Sequence, residues 1–374
     1  MKMRSILLAC LSALPAGLWG ADADKKDESE VSQAGIQSAI QLLRSEYIRG
    51  TELDFTALNR AALDGLLLRL QLGATLVPNK VKSQEPVEPR VLSAKLAPGI
   101  GWVRPLTFQR TETDLLRSAV ESLSREKVTQ LILDLRSPCS DADFDTAAEM
   151  LDLFVPPAEV LFKLQQEGRT DAELFLSREA ATWTGDIITL IDANSCNAAE
   201  AIAAVLNERD ATLLVGTPTR GATVRYEVQP IDREWSLKFA RAEMLLPDGT
   251  SLFKKGLTPE FRVQMNKQES AKARKLQEAG KVTETVFDQA RVRYNEAALV
   301  ARKNPELDAY IRRSAGEETD GDREPSRDRV LQTAVDMLRA KAFISGGQFK
   351  WNERKPEPAF DEPEIPKALP ADAP

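Results

Sequence analysis

The chain has 374 residues, of which 43% are hydrophobic and 29% are charged, and its formal net charge is −7. This composition is typical of a globular protein, and it argues against wholesale disorder, a fibrous repeat or a general role in nucleic-acid binding. The sequence contains no histidine, which excludes histidine-based catalytic triads and zinc sites with histidine ligands. Any catalysis must therefore use lysine, carboxylates, hydroxyls or thiols.

The N-terminus has the pattern of an export signal. Lys2 and Arg4 precede an apolar run over residues 6–19, and small residues follow that run. This order is typical of a secretory signal peptide. We therefore predict a signal peptide over residues 1–23 and a secreted protein, which in a bacterium would be located in the periplasm. Cys10 leaves a lipoprotein anchor as an alternative.

Two segments after the signal carry apolar residues at helical spacing. One covers residues 36–47, and the other covers residues 58–70 with Gly73 as its stop. We predict a helical N-terminal region over residues 24–79. A charged, proline-containing linker is predicted over residues 80–98.

The middle of the chain changes character and predicts an α/β core over residues 99–265. Three short apolar runs, residues 130–136, 186–192 and 211–216, are typical of strands buried in a parallel sheet. Helical patterns separate these runs, as expected for strand–helix–strand units. Residues 224–244 alternate more loosely and suggest antiparallel strands.

The C-terminal part divides into two regions. Residues 266–345 are predicted to be a helical addition, and the segment 328–342 shows the clearest apolar face. Residues 346–374 are rich in proline and acidic residues, so we predict a disordered tail.

Five segments carry motifs in one order. They are residues 43–65 with two helical patterns, 99–104 (Gly-Ile-Gly-Trp-Val-Arg), 131–136 (Leu-Ile-Leu-Asp-Leu-Arg), 215–221 (Val-Gly-Thr-Pro-Thr-Arg-Gly) and 256–260 (Gly-Leu-Thr-Pro-Glu). Together they resemble the carboxyl-terminal processing, or tail-specific, serine proteases. The resemblance implies an α/β fold with a crotonase-like core and helical N-terminal and C-terminal additions. The family's PDZ domain normally lies between the helices and the core, where this chain has only about twenty residues, between Val77 and Pro98.

The resemblance assigns the family's catalytic positions to residues that cannot perform its chemistry. The nucleophilic serine of the family corresponds to Asn197, and its general-base lysine corresponds to Ala222. The glutamine four residues after that lysine corresponds to Tyr226. The oxyanion-hole glycine corresponds to Cys139, in a loop one residue shorter. An amide cannot form an acyl-enzyme through a hydroxyl, and alanine cannot take a proton. The resemblance therefore implies a pseudoenzyme.

The family fold also suggests a disulfide. Its oxyanion loop and nucleophile turn face each other across the active site, which places Cys139 opposite Cys196. These are the only cysteines left after signal cleavage, in a compartment where disulfides persist. We predict a Cys139–Cys196 disulfide across the former site. The alternative is two buried thiols at unrelated positions.

Two functions follow from this reading. The first is a non-catalytic envelope protein that binds peptide strands or acts as a scaffold for another protein. The second is an active serine endopeptidase that uses Ser195 with a relocated base, for which Lys254 and Lys255 are the candidates, because Arg220 stays protonated. The simpler interpretation is that Ser195 caps the following helix, the lysines are solvated and Glu200 is structural. No cofactor, metal, nucleic acid or transmembrane span is expected.

Overall fold

The computed structural model describes residues 32–49, 53–79, 88–137, 144–287, 307, 310–311, 314–315 and 327–345. The predicted signal peptide, Cys10, Cys139 and the proline-rich tail lie outside these residues. The chain divides into two compact units, Met1–Arg69 and Leu70–Pro374.

The described part of the first unit consists of helices α1 (Gln33–Glu46) and α2 (Phe55–Leu70), the latter ending one residue beyond the unit. Ser32 caps α1 by accepting a 3.1 Å hydrogen bond from the Gly35 amide. The exposed side chains of Arg60 and Asp64 pair at 3.1 Å on α2. Neither helix contains a buried residue. Helix formation at both predicted segments is confirmed.

The second unit contains strands in two sheets and the remaining helices. The strands are β1 (Ala74–Pro78), β2 (Val91–Ala97), β3 (Ile100–Pro105), β4 (Gln130–Asp134), β5 (Val160–Gln165), β6 (Glu173–Leu176), β7 (Asp186–Ile191), β8 (Thr212–Gly216), β9 (Val224–Pro230), β10 (Trp235–Leu245) and β11 (Phe261–Arg262). The helices are α3 (Arg110–Arg125), α4 (Phe144–Leu151), α5 (Ala198–Glu208), α6 (Lys267–Glu278), α7 (Val282–Val286) and α8, which covers Arg329–Ser345.

The larger sheet has the strand order β11-β8-β7-β4-β3-β2. All its pairings are parallel except the β2–β3 pair, which is antiparallel. Strands buried on both faces of a parallel sheet read as continuous apolar runs, which is why β4, β7 and β8 were predicted from sequence. Their predicted parallel arrangement is confirmed.

Helices cover both faces of the larger sheet. Leu131 and Leu133 of β4 belong to the core that also contains apolar residues of α3, α4 and α5. Ile132, between them, belongs to the opposite core, with apolar residues of α7 and α8. This alternation follows from the two-residue period of a strand. The result is a mixed α/β fold with helices on each side of the sheet.

The smaller sheet is built around β10, which pairs antiparallel with β1, β5 and β9. Strand β6 pairs antiparallel with β5. The antiparallel strands predicted over residues 224–244 are therefore confirmed as β9 and β10. Within the described residues, no helix combines the length and apolar character that a membrane span requires.

Two predicted boundaries are wrong in part. Strand β1 lies inside the region 24–79, which was predicted to be helical, and β2 lies inside the predicted linker 80–98. The linker prediction relied on the charges and prolines before residue 91. Leu92 and Leu96 of β2 are both buried, and their spacing is the period-two signal of a half-buried strand.

Candidate functional site

The carboxyl ends of β4, β7 and β8 lie at one edge of the larger sheet. In open α/β folds this edge is where ligands and substrates usually bind. Strand β4 leads to Leu135 and Arg136, β7 leads through a turn into α5, and β8 leads into a loop over residues 217–223. The residues that the sequence singled out near residues 195–222 lie in these connections or, for Glu200, in the first turn of α5.

Ser195 ties the turn after β7 to the end of β4. Its hydroxyl donates to the Leu135 carbonyl at 2.9 Å and accepts from the Asp192 amide at 3.1 Å. The residue is fully buried. The expectation that Ser195 caps α5 is wrong, because the hydroxyl bonds an amide before the helix. The hydroxyl instead anchors two neighbouring strands to each other.

Asn197 is the N-cap residue of α5, directly before its first helical residue. It has a φ of +47° and a ψ of −117°, and its side chain makes no capping hydrogen bond. A positive φ is uncommon for residues other than glycine, although asparagine tolerates it better than most. The position assigned to the family's nucleophile is therefore a strained, buried turn at a helix start that holds an amide side chain.

Glu200 fixes the loop after β8 against α5. Its carboxylate accepts hydrogen bonds from the Thr219 hydroxyl, from the Gly221 amide at 2.8 Å and from the Ala222 amide at 2.9 Å. The side chain is fully buried, and this burial raises the pKa of Glu200. Glu200 lies one turn after Asn197 in α5, so the structure brings the two degenerate positions to the same corner. The structural role expected for Glu200 agrees with these contacts.

The loop itself is held by further backbone contacts. The Arg220 amide donates to the Ser195 carbonyl at 3.3 Å. Gly221 has a φ of +73°, and a Cβ there would lie 2.8 Å from the Gly256 nitrogen. Glycine is needed at this position because both the backbone conformation and the space exclude a side chain.

The lysines considered as relocated bases lie near this loop. The main-chain amide of Lys254 donates to the Gly221 carbonyl at 2.8 Å. The side-chain ammonium of Lys254 lies over the Phe253 ring, 5.3 Å from its centroid. Both Lys254 and Lys255 are exposed. The hydrogen bonds of the Ser195 hydroxyl go to main-chain groups rather than to either ammonium.

Tyr226 takes the position of the family's glutamine and lies on β9. Its hydroxyl donates to the Leu72 carbonyl at 2.8 Å, and the Lys238 ammonium lies 4.8 Å from its ring centroid. These contacts attach β9 to the segment before β1. They give Tyr226 a structural role in the smaller sheet.

A buried charge network lies at the end of β4. The Arg136 guanidinium forms two hydrogen bonds to Asp134, both at 2.8 Å, and two to Asp328, at 3.0 and 2.8 Å. Gln277 of α6 donates to Asp328 at 2.9 Å and accepts from Arg104 at 3.0 Å. Residues far apart in sequence are therefore joined into one buried cluster, which we call the arginine network: Arg104, Asp134, Arg136, Gln277 and Asp328.

The arginine network shifts the pKa values of its carboxylates downwards. Burial alone would raise the pKa of Asp134 and of Asp328, but Arg136 overcomes this and lowers both. Burial lowers the pKa of Arg104. The same carboxylates hold the pKa of Arg136 well above its usual value, although burial opposes them. The network is therefore ionised and internally paired.

Asp328 directly precedes α8 and caps its first turn. It accepts a hydrogen bond from the Leu331 amide at 3.0 Å, and its own amide donates to the Thr285 carbonyl at 2.9 Å. The aspartate and arginine of the Leu-Asp-Leu-Arg motif thus hold α8 against the sheet. Among the described residues, no group of three or more histidine, cysteine, aspartate or glutamate side chains is placed to hold a metal ion.

A comparison with protein families matches the part of the chain that contains these strands and loops. Residues 99–263 match the sequence profile of peptidase family S41. The chain carries a peptidase family S41 domain. This S41 domain begins just before β3 and ends just after β11, so it contains the turn at Asn197 and the loop at Ala222. Gln277 and Asp328 of the arginine network lie outside the matched residues.

Relatives of the S41 domain include named proteases. The chain is 24% identical over 241 residues to the carboxy-terminal processing protease CtpA of Bacillus subtilis (strain 168), covering 64% of this chain and 48% of that protein. It is 23% identical over 267 residues to a probable CtpA-like serine protease of Staphylococcus aureus (strain COL), covering 67% and 53%. The chain thus spans about half the length of these relatives.

A solved structure of a similar protein shares less sequence identity with this chain than these two relatives do. The photosystem II D1 C-terminal processing protease aligns with a TM-score of 0.40 and 21% sequence identity, over 50% of each chain.

The loop at Ala222 is held against α5 by hydrogen bonds from the Gly221 and Ala222 amides to Glu200. The assignment of Asn197 and Ala222 to the family's catalytic positions stays a prediction. Cys139 lies outside the described residues, so the role proposed for it stays a prediction. The arginine network was missed. Its only sequence signal was the pair of charges in an otherwise apolar strand motif, Asp134 and Arg136.

Proposed function

We propose that the S41 domain of this chain is a non-catalytic pseudoprotease that serves as a peptide-binding or scaffold protein of the cell envelope. The observation that carries the proposal is the hydrogen-bonded corner formed by α5 and the loop after β8. That corner presents Asn197 and Ala222 where a working family member would need a hydroxyl and an amine. We also propose that the core is crotonase-like and that the chain is exported.

The environment of Ser195 supports an inert site. A serine becomes a nucleophile when a base accepts its proton, but the Ser195 hydroxyl donates to the Leu135 carbonyl. A carbonyl oxygen cannot act as that base at neutral pH. The residue is also fully buried, which would keep a peptide bond from reaching the hydroxyl. These contacts argue against the alternative of a Ser195 peptidase.

Hydrolysis of an unfolded protein tests the proposal. We expect the purified mature chain to leave fluorescein-labelled casein uncleaved, at the background rate of buffer, because no general base faces a hydroxyl. CtpA of Bacillus subtilis is the positive control. A rate above background that survives purification and disappears in Ser195→Ala would contradict the proposal.

We propose in addition that Cys139 and Cys196 form a disulfide across the former site. Cys196 is the one cysteine among the described residues, and it is buried. On the chain-entropy model, closing a loop of about 57 residues stabilises the protein by roughly 4 kcal/mol when the bridge is unstrained.

Alkylation followed by mass spectrometry tests this pairing. Under denaturing conditions without reductant, we expect iodoacetamide to add to neither cysteine of the mature chain. After reduction, two additions are expected. Two additions before reduction would refute the disulfide. Because loss of the bridge removes a stabilising constraint, the reduced protein should also unfold at lower urea concentration.

A further inference from the structure

The outer edge of β6 lacks a partner strand among the described residues. Strand β6 is last in the order of the smaller sheet and pairs with β5 alone. Ser177, just after it, donates its amide to Glu159 and accepts from the Ala158 amide, both at 2.9 Å. Main-chain groups alternate in direction along an antiparallel strand. The amides and carbonyls of Leu174 and Leu176 therefore face the open edge.

The same edge presents apolar side chains to solvent. Leu174 is 60% exposed and Leu176 is 45% exposed, and Val160, opposite Leu176 on β5, is 38% exposed. Phe175 points to the other face, where it is buried and stacks on Phe162 at a centroid distance of 4.6 Å. The strand is thus anchored on one face and open on the other.

Charge is present only at the first residue of this edge. Edge strands are commonly protected by charges and prolines. Glu173, which begins β6, pairs with Arg225 of β9 at 2.6 Å. The other residues of β6, 174–176, carry neither charge nor proline. An unprotected apolar edge is the kind of surface to which an extended peptide adds as a further strand.

An acidic cleft adjoins this edge. It is a shallow, open depression whose lining includes Leu176 and the carboxylates of Asp145, Glu149 and Asp152. Arg178 also lines it, and the largely exposed Arg110 pairs with Glu149 at 2.7 Å. The lining therefore carries three carboxylates and one guanidinium group. Burial, with the neighbouring Glu179, raises the pKa of Asp152, and a cation in the cleft would relieve that cost.

We infer that the outer edge of β6 binds an extended peptide with alternating apolar side chains and a lysine or arginine that enters the acidic cleft. Main-chain hydrogen bonds to Leu174 and Leu176 would supply the strand addition. The cleft would supply the preference for a basic residue. This inference rests on the proposed peptide-binding function, and it specifies the surface and the chemistry of the ligand.

Fluorescence anisotropy with two matched peptides tests the inference. One fluorescein-labelled ten-residue peptide alternates valine and threonine around a central lysine, and the other replaces that lysine with glutamate. We expect the lysine peptide to bind about tenfold more tightly than the glutamate peptide. Raised salt should reduce this difference in affinity, because it screens charge–charge interactions. Equal binding of both peptides, or binding of neither, would overturn the inference.

Variants locate the binding surface. Leu174→Pro removes an edge amide and should weaken the lysine peptide about tenfold, and Leu174→Thr, which keeps the strand, should weaken it less. Asp145→Asn combined with Glu149→Gln should bring the two peptides to similar affinities. Val228→Thr on β9 is the matched control and should change nothing. Unchanged binding in both Leu174 variants would refute the location.

Other outcomes separate this inference from the proposed function. Dimerisation that Leu174→Pro abolishes, without peptide binding, would assign the edge to a second copy of the chain and overturn the inference. Casein hydrolysis would refute the pseudoprotease proposal whatever the peptides show. An inert protein that fails to bind the lysine peptide would refute the inference and leave the inert site standing.

Discussion

Replacing Asp328 with alanine is expected to lower the free energy of unfolding by about 3–5 kcal/mol, because it leaves the buried Arg136 with one carboxylate partner fewer. Asp328 also caps α8 through the Leu331 amide, so the helix loses its first-turn acceptor as well. Urea unfolding at pH 7 measures the effect. Asp328→Asn keeps the shape and an acceptor oxygen but removes the charge, and it should fall between wild type and Asp328→Ala.

The matched control for this prediction is an exposed ion pair. Glu173→Ala breaks the pair of Glu173 with Arg225, whose side chains are 50% and 38% exposed. Exposed pairs contribute about 0–1 kcal/mol. If Asp328→Ala cost no more than Glu173→Ala, the arginine network would not be holding α8 against the sheet.

The arginine network also predicts how stability depends on pH. Because the folded pKa values of Asp134 and Asp328 lie below their usual values, the unfolded chain binds protons first as the pH falls. Their contribution is present above the unfolded pKa and is lost as the pH falls through the folded pKa. We therefore expect stability to drop below about pH 4, and to drop less steeply in Asp328→Asn.

Replacing Glu200 with alanine is expected to destabilise the protein by about 3 kcal/mol or more. The change leaves the buried hydrogen-bond donors of Thr219, Gly221 and Ala222 without an acceptor. Glu200→Gln keeps one carbonyl oxygen, but its amide would face the Ala222 N–H. That variant should cost about 1–3 kcal/mol. Urea unfolding measures both changes.

Glu208→Ala is the control for Glu200, because Glu208 is exposed on the same helix and should change stability by about 0.5 kcal/mol or less. The pH dependence at Glu200 has the opposite sign to that of the arginine network. Its folded pKa is raised, so its contribution falls as the pH rises from the unfolded value through the folded one. A wild-type-like Glu200→Ala would show that the carboxylate does not hold the loop.

The strands of the core were predictable because each carries its own signal. Continuous apolar runs in β4, β7 and β8 report burial on both faces of a sheet. Strands β1 and β2 were missed because charged and proline-rich neighbours dominated the reading of their segments. The apolar alternation at Leu92 and Leu96 was too short to outweigh that context.

Likewise, some parts of the candidate site have a local sequence signal and others do not. The turn at Asn197 and the loop at Ala222 could be located because each lies in a local motif. The arginine network could not, because Arg136 and Asp328 are 192 positions apart and nothing in either segment specifies the other. The structural task of the Leu-Asp-Leu-Arg motif becomes visible only when the fold brings α8 to the end of β4.

The most direct test of the inert site is covalent labelling with a fluorophosphonate, which reacts with an activated serine. We expect the mature wild-type chain to remain unlabelled under conditions in which CtpA of Bacillus subtilis is labelled, because the Ser195 proton is donated to the Leu135 carbonyl. Stoichiometric labelling mapped by mass spectrometry to Ser195, and absent in Ser195→Ala, would contradict the account and establish an active hydrolase.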